Sequence, residues 1–281
     1  MLTRLREGTP DAADRGRAGA ASADLPEAIG GAPLSIGKLG HSFGELRAIE
    51  RIDLDVEPGE VVGIVGPSGC GKTTLLELVA GLRPADAGTI SVAGHTDPGE
   101  RLARCAYMPQ RDLLLPWLSA VDNASLALRI GGLSRTRARA QAAEHFERLG
   151  LEGFEDSRPD QLSGGMRQRV AFLRTLMAGR PVLLLDEPFA SLDAITRAEM
   201  QSWLAEVLEP DRHTVLLVTH DVEEALYLSD SVLVLSFRPA RVVDRIEVNG
   251  PRAADRAAAV TSPAFAELRQ RALRALAGAA Q

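Results

Sequence analysis

An α/β fold with a largely parallel sheet is predicted by three features of the 281-residue sequence. A β-branched run, Val61 to Val65, leads through closely spaced glycines into a helix-like stretch from Thr73 to Gly81. Apolar runs at Val182 to Leu185, Thr214 to Thr219 and Ser231 to Leu235 alternate with helical stretches, the order expected of parallel strands joined by crossover helices. Between these two sets, residues 111–180 are dominated by Ala, Leu, Arg and Glu, which predicts a helical subdomain interrupting the sheet.

Residues 1–32 are rich in Ala, Gly, Asp and Arg and carry few large apolar side chains that could offset the entropy of ordering them, so a mobile tail is expected there. From Leu34 the pattern changes. Leu34 to Phe43 and Ile52 to Val56 alternate apolar and polar residues and are separated by Gly40, Gly44 and the Pro58-Gly59 turn, which predicts two early strands. The helix after Val65 should end at Gly81. Within the helical region, the predicted helices span Ala120 to Ile130, Arg135 to Leu149 and Gly165 to Ala178. Pro263 to Leu276 places Phe265, Leu268, Ala272 and Leu276 at near-helical spacing and predicts a C-terminal helix. The resulting division is a tail over 1–32, a main domain over 33–250 and a helical extension over 251–281.

A net charge of -6 disfavours broad contact with nucleic acid. Cys70 and Cys105 match neither a metal-site spacing nor a disulfide framework, consistent with a reducing compartment. No apolar run approaches the roughly 18 residues needed to span a bilayer, and the charged start from Met1 to Arg6 is followed by no apolar signal core. A cytoplasmic chain is expected, with any membrane part on another polypeptide.

Two segments carry the chemistry of a nucleotide site. Gly66, Pro67, Ser68, Gly69, Cys70, Gly71, Lys72 and Thr73 complete a phosphate-loop pattern between a predicted strand and a predicted helix. Its backbone N–H groups and the helix N-terminus suit phosphate oxygens, Lys72 can reach the β and γ phosphates, and Thr73 can ligate magnesium. The strand Val182 to Leu185 then delivers Asp186 and Glu187 to a sheet edge. Asp186 suits magnesium, directly or through water. Glu187 suits the orientation or deprotonation of an attacking water, with the adjacent carboxylate favouring its basic role. A third run, Leu162 to Gln168, places Ser-Gly-Gly at the start of a helix and offers hydroxyl and backbone donors to a second phosphate site.

Together these motifs resemble the ATPase subunits of ABC transporters, from about Leu34 to about Ile246. The resemblance implies a P-loop NTPase core of that type with a helical subdomain and an N-terminal antiparallel β region. It also implies ATP and Mg2+ as cofactors. Phe43 falls at the position that stacks on adenine, although an early-strand aromatic is as readily core. Thr74 continues the phosphate loop. Gln110 matches the glutamine that senses magnesium and the γ phosphate, and His220 the histidine that contacts the γ phosphate. Ser191 to Asp193 matches a loop that crosses between subunits. In this family two subunits close head to tail around two ATP molecules, so Ser163, Gly164 and Gly165 are expected to face a partner's phosphate loop. That partner is a second copy or a paralogous ATPase subunit.

One ATPase unit without a membrane span implies a separate transmembrane permease, reached at the cytoplasmic face of the membrane, and through it an extracytoplasmic solute-binding protein. Arg111 to Trp117 lies where family members receive the permease, although Leu113 to Leu115 and Trp117 could equally be core. Leu-Leu-Pro-Trp, Ser-Gly-Gly-Met-Arg-Gln-Arg and the run from Ser236 to Arg241 resemble the importers of nitrate, sulfonate and taurine. An importer of thiamine pyrimidine precursors and a non-transport ABC ATPase are the alternatives. A kinase or GTPase sharing only the phosphate loop does not account for residues 162–168.

Overall fold

The computed structural model describes residues 30–211, 213–248 and 256–279. The expected N-terminal tail therefore lies, up to residue 29, outside the described residues. Its last position, Ala32, is buried, and its carbonyl accepts a 2.7 Å hydrogen bond from Thr214 Oγ1.

Strands β1 (Leu34–Phe43) and β2 (Leu46–Val56) form an antiparallel pair turned at Gly44, so the second strand begins well before the expected Ile52. Strand β3 (Val61–Val65) leads to the phosphate loop and helix α1 (Lys72–Ala80). Gly81 ends that helix at φ 82°, as its position predicted. Three elements without a strong sequence signal follow: β4 (Ala87–Val92), α2 (Pro98–Leu102) and β5 (Cys105–Met108).

The expected helix from Ala120 to Ile130 is two short ones, α3 (Ala120–Ala124) and α4 (Leu126–Ile130). At the break, Ser125 turns its hydroxyl back to the Asp122 carbonyl, a side-chain bond that competes with helix continuation. Helix α5 (Arg135–Ala143) stops short of Leu149 because the chain tightens into turns, with the Phe146 carbonyl accepting from Leu151. Helix α6 (Gly164–Leu176) starts one residue before the expected Gly165.

Strand β6 (Val182–Asp186), helix α7 (Ala194–Asp211), strand β7 (Thr214–Val218), helix α8 (Val222–Leu228) and strand β8 (Ser231–Leu235) alternate as expected. Strand β9 (Ala240–Glu247), α9 (Arg256–Thr261) and α10 (Pro263–Ala279) complete the described chain.

Among the described residues, nine strands form one sheet in the order β4-β1-β2-β9-β8-β3-β7-β6-β5. Strands β8, β3, β7, β6 and β5 are mutually parallel, whereas β4, β1 and β2 are antiparallel. Strand β9 joins the two regions, antiparallel to β8 and parallel to β2. Alternate residues then feed two cores: Val61 and Val65 pack with Phe172, Phe189 and Trp203, while Val62 and Ile64 pack with Leu75 and Leu78 of α1. Burial on both faces explains the near-continuous apolar runs of β3, β6, β7 and β8.

Candidate functional site

The phosphate loop leaves the C-terminal edge of the parallel sheet at Val65 and enters α1 at Lys72. Gly69 and Gly71 have φ of 73° and 116°, a region that favours glycine and lets consecutive backbone N–H groups turn toward one centre. Cys70 is buried beneath the loop, and its N–H donates to the Pro67 carbonyl at 3.2 Å. Lys72 is buried and curls back, donating from Nζ to the carbonyls of Gly66 at 2.8 Å and Pro67 at 3.2 Å. Its ammonium is thus held at the loop by weak acceptors that a phosphate could replace.

Asp186 ends β6, with the Thr73 side chain close enough to act on its carboxyl. The carboxylate is 1% exposed and its Oδ2 has no hydrogen-bond partner among the described residues, a costly arrangement for an anion. Burial raises its pKa, opposed by the Thr73 side chain and the Lys72 charge. Two oxygens from Thr73 and Asp186 fit a hard cation that takes its remaining ligands from phosphate and water. Among the described residues, no group of three or more His, Cys, Asp or Glu side chains could hold a metal by itself.

Glu187 follows at φ 50°, a left-handed conformation that is strained for a side chain of this size. The strained backbone is fixed by a 2.8 Å bond from its N–H to the Val218 carbonyl on β7. Gln110 Nε2 donates to Glu187 Oε2 at 3.4 Å, and His220 Nδ1 lies 3.1 Å from the same oxygen. Gln110 arrives from the end of β5, Glu187 from β6 and His220 from β7, three adjacent strands whose C-terminal ends meet there.

The run from Leu162 to Gln168 sits at the head of α6. Ser163 is its N-cap, with Oγ accepting the Met166 N–H at 3.2 Å. Gly165 packs so close to the following loop that a Cβ there would lie 3.1 Å from Leu192 Cδ2. Asp193 begins α7: its Oδ1 accepts from Ile195 and Thr196, each at 3.1 Å. Gln110, Gly164 and Ser191 share the wall of a recess of about 470 Å3 with Asp112 and Arg167.

Phe43 does not belong to the core. It is 42% exposed at the end of β1, edge-on to His41, with the Arg83 guanidinium 4.8 Å from its ring centre. Arg111 to Trp117 divides between the two readings its sequence allowed. Leu114 is buried, but Leu113 and Trp117 are 55% and 68% exposed. Helix α6 secures this segment, through an Arg167–Asp112 ion pair at 3.0 Å and Arg174 bonds to the carbonyls of Asp112 and Leu113. These arginine anchors carried no sequence signal, because only their contacts distinguish them from the other arginines of residues 111–180.

A phosphate loop and paired carboxylates on a parallel sheet, with Ser-Gly-Gly opening a helix, define an ATP-binding cassette. The model of the ABC transporter family matches residues 49–190. The formylaminopyrimidine import ATP-binding protein ThiZ of Halalkalibacterium halodurans is 46% identical over 200 residues, covering 71% of this chain and 78% of that protein. The taurine import ATP-binding protein TauB of Escherichia coli is 42% identical over 219 residues, covering 78% and 86%. A dimeric post-hydrolysis ATP-binding cassette bound to ADP and Pi superposes with a TM-score of 0.69 at 29% identity, covering 77% of this chain and 99% of that one. The chain belongs to the ABC transporter family and is an ATP-binding, ATP-hydrolysing subunit. Among the described residues, no helix is long and apolar enough to cross a membrane.

Proposed function

We propose that two copies of this chain, or one copy and a paralogous subunit, close head to tail around two ATP molecules and drive a separate permease from the cytoplasmic face of the membrane. The single observation that carries the catalytic part is the convergence of Gln110 and His220 on Glu187 Oε2 beside the buried Asp186. The dimeric state of the cassette bound to ADP and Pi supports the shared site.

In this reading Gly66 to Thr74 cradle the phosphates and Lys72 leaves its loop carbonyls for the β and γ phosphates. Thr73 and Asp186 would hold Mg2+, with Gln110 as the residue that senses it; the ion, when bound, would supply charge neutralisation at the phosphates. Glu187 orients the attacking water and takes its proton, and His220 faces the γ phosphate. Because hydrolysis of this kind depends on positioning and fixed charge, the strained Glu187 backbone serves to aim one carboxylate oxygen. Ser163, Gly164 and Gly165 complete the partner's site, with Asp193 at the crossing between subunits. Phe43 offers its exposed ring to adenine once Arg83 moves aside. Affinity of ATP for the closed state then drives the permease.

Leu113 and Trp117 are the anchors for that permease, being exposed and apolar, with Leu113 tied to α6 through its carbonyl. The cargo is nitrate, a sulfonate, taurine or a related small solute delivered by an extracytoplasmic binding protein; likeness to the taurine protein supports this. A thiamine pyrimidine precursor is the second reading, favoured by 46% identity to the formylaminopyrimidine protein. The test is reconstitution of this chain with its permease and binding protein in liposomes, followed by uptake of each solute. ATP-dependent uptake of one of them is expected. Hydrolysis that no permease stimulates would remove the transport role.

A further inference from the structure

The turn between β8 and β9 runs along the phosphate loop, and it brings a second cation to it. A Cβ at Gly66 would lie 3.1 Å from Leu235 Cβ, one at Gly69 would lie 3.7 Å from Arg238 Nη2, and one at Gly71 would lie 4.0 Å from Ala240 Cβ. The turn therefore passes close to the loop at three of its glycines. The turn itself is firmly held: Ser236 Oγ donates to the Phe237 carbonyl at 2.8 Å and accepts the Arg241 N–H at 2.9 Å, while the Phe237 N–H reaches the Ala279 carbonyl of α10 at 3.0 Å.

Arg238 is the charge this scaffold presents. Arg241, its neighbour in the hairpin, pairs with Glu50 at 3.1 Å, but among the described residues Arg238 has no acidic partner and no hydrogen bond, only the Phe237 ring at 5.8 Å. Burial pushes the Cys70 thiol up, and the charges of Lys72 and, least, Arg238 oppose that shift. A recess of about 440 Å3 lined by Phe237, Arg238 and Gly278 gives the side chain room to turn. A planar, weakly hydrated guanidinium suits phosphate oxygens better than it suits isolation.

We infer that Arg238 is a nucleotide-binding residue, whose guanidinium reaches the polyphosphate held at Gly69 and adds to ATP affinity. This rests on the reading of residues 66–73 as the phosphate cradle. The contact is present in both ground and transition states, so it strengthens binding without changing the chemical step.

The test compares Arg238→Gln and Arg238→Lys with the native chain, by displacement of a fluorescent ATP analogue and by steady-state hydrolysis. Arg238→Gln is expected to raise both Kd and KM for ATP by about five- to twenty-fold with little change in kcat, and Arg238→Lys to recover most of the loss. The ratio between Gln variant and native Kd should shrink at about 0.5 M salt, where the charge is screened. A Kd within about two-fold of native, a Lys variant as weak as the Gln variant, or a ratio unaffected by salt would each overturn the inference and assign Arg238 to packing. Lys72→Ala run in parallel separates the two levels. If it still binds ATP normally, the cradle reading itself fails; if it loses ATP while Arg238→Gln does not, only the role of Arg238 fails.

Discussion

Glu187 Oε2 lies 3.1 Å from Nδ1 of His220, although the two residues are carried by different strands. The contact is possible because β6 and β7 are parallel neighbours in register, Asp186 opposite Val218, so the residues following each strand emerge side by side. Parallel pairing is what brings two distant sequence motifs into contact.

Glu187→Gln keeps the shape of this contact but removes the base. ATP binding should persist, turnover should fall by about a hundred-fold or more, and the ATP-bound dimer should accumulate on size-exclusion chromatography. Near-normal turnover would remove Glu187 from its role.

The composite site makes a different demand. Ser163→Arg damages the half-site at the head of α6, and Lys72→Ala damages the half-site at the phosphate loop. Each variant alone should be inactive, whereas mixed dimers contain one site lacking both lesions. Hydrolysis measured in verified mixed dimers should recover toward half the native rate; no recovery there would exclude the shared site.

Away from the nucleotide, Glu224 of α8 is 3% exposed and accepts from Gln201 Nε2 at 3.0 Å, with Gln201 in turn bonded to Arg256. Burial pushes its carboxyl up to about 7 from the ordinary 4.5, against the Thr219 and Gln201 hydrogen bonds and the Arg197 charge, with Asp221 adding to the rise. The folded chain thus binds more protons than the unfolded chain between these values, and this group's contribution to stability falls as pH rises through that window. Glu224→Gln keeps an acceptor for Gln201 without the charge. It should be more stable than the native chain above pH 7, by up to about 3 kcal/mol, with the gap closing toward pH 5. Denaturant melts at several pH values would show this, and a constant gap would contradict it.

Asp122 organises the helices at residues 119–139. It is buried, accepts from Arg135 and Arg139 at 2.8 Å each, and bonds the Ser119 hydroxyl that caps α3. Asp122→Ala should cost about 2 kcal/mol, read as a lower denaturation midpoint, because several charge-assisted bonds and a cap are disturbed together. Nucleotide affinity measured on the folded variant should be unchanged.

Residue order alone carried the phosphate loop, the strands from Val182 onward and the candidate ligands Lys72, Asp186 and Glu187, because these signals are local: a buried strand must be apolar, and a phosphate cradle needs glycines at close spacing. It did not carry β5, four residues long, or β9, whose Arg241, Asp244 and Arg245 mask any alternation. It also left Phe43, Leu113 and Trp117 undecided between core and surface. Tertiary structure settled those, together with the meeting of Gln110 and His220 at Glu187 and the approach of Arg238 to Gly69. Such relationships depend on strand order and on which end of each strand faces the loop, and no local propensity encodes the pairing of segments far apart in the chain.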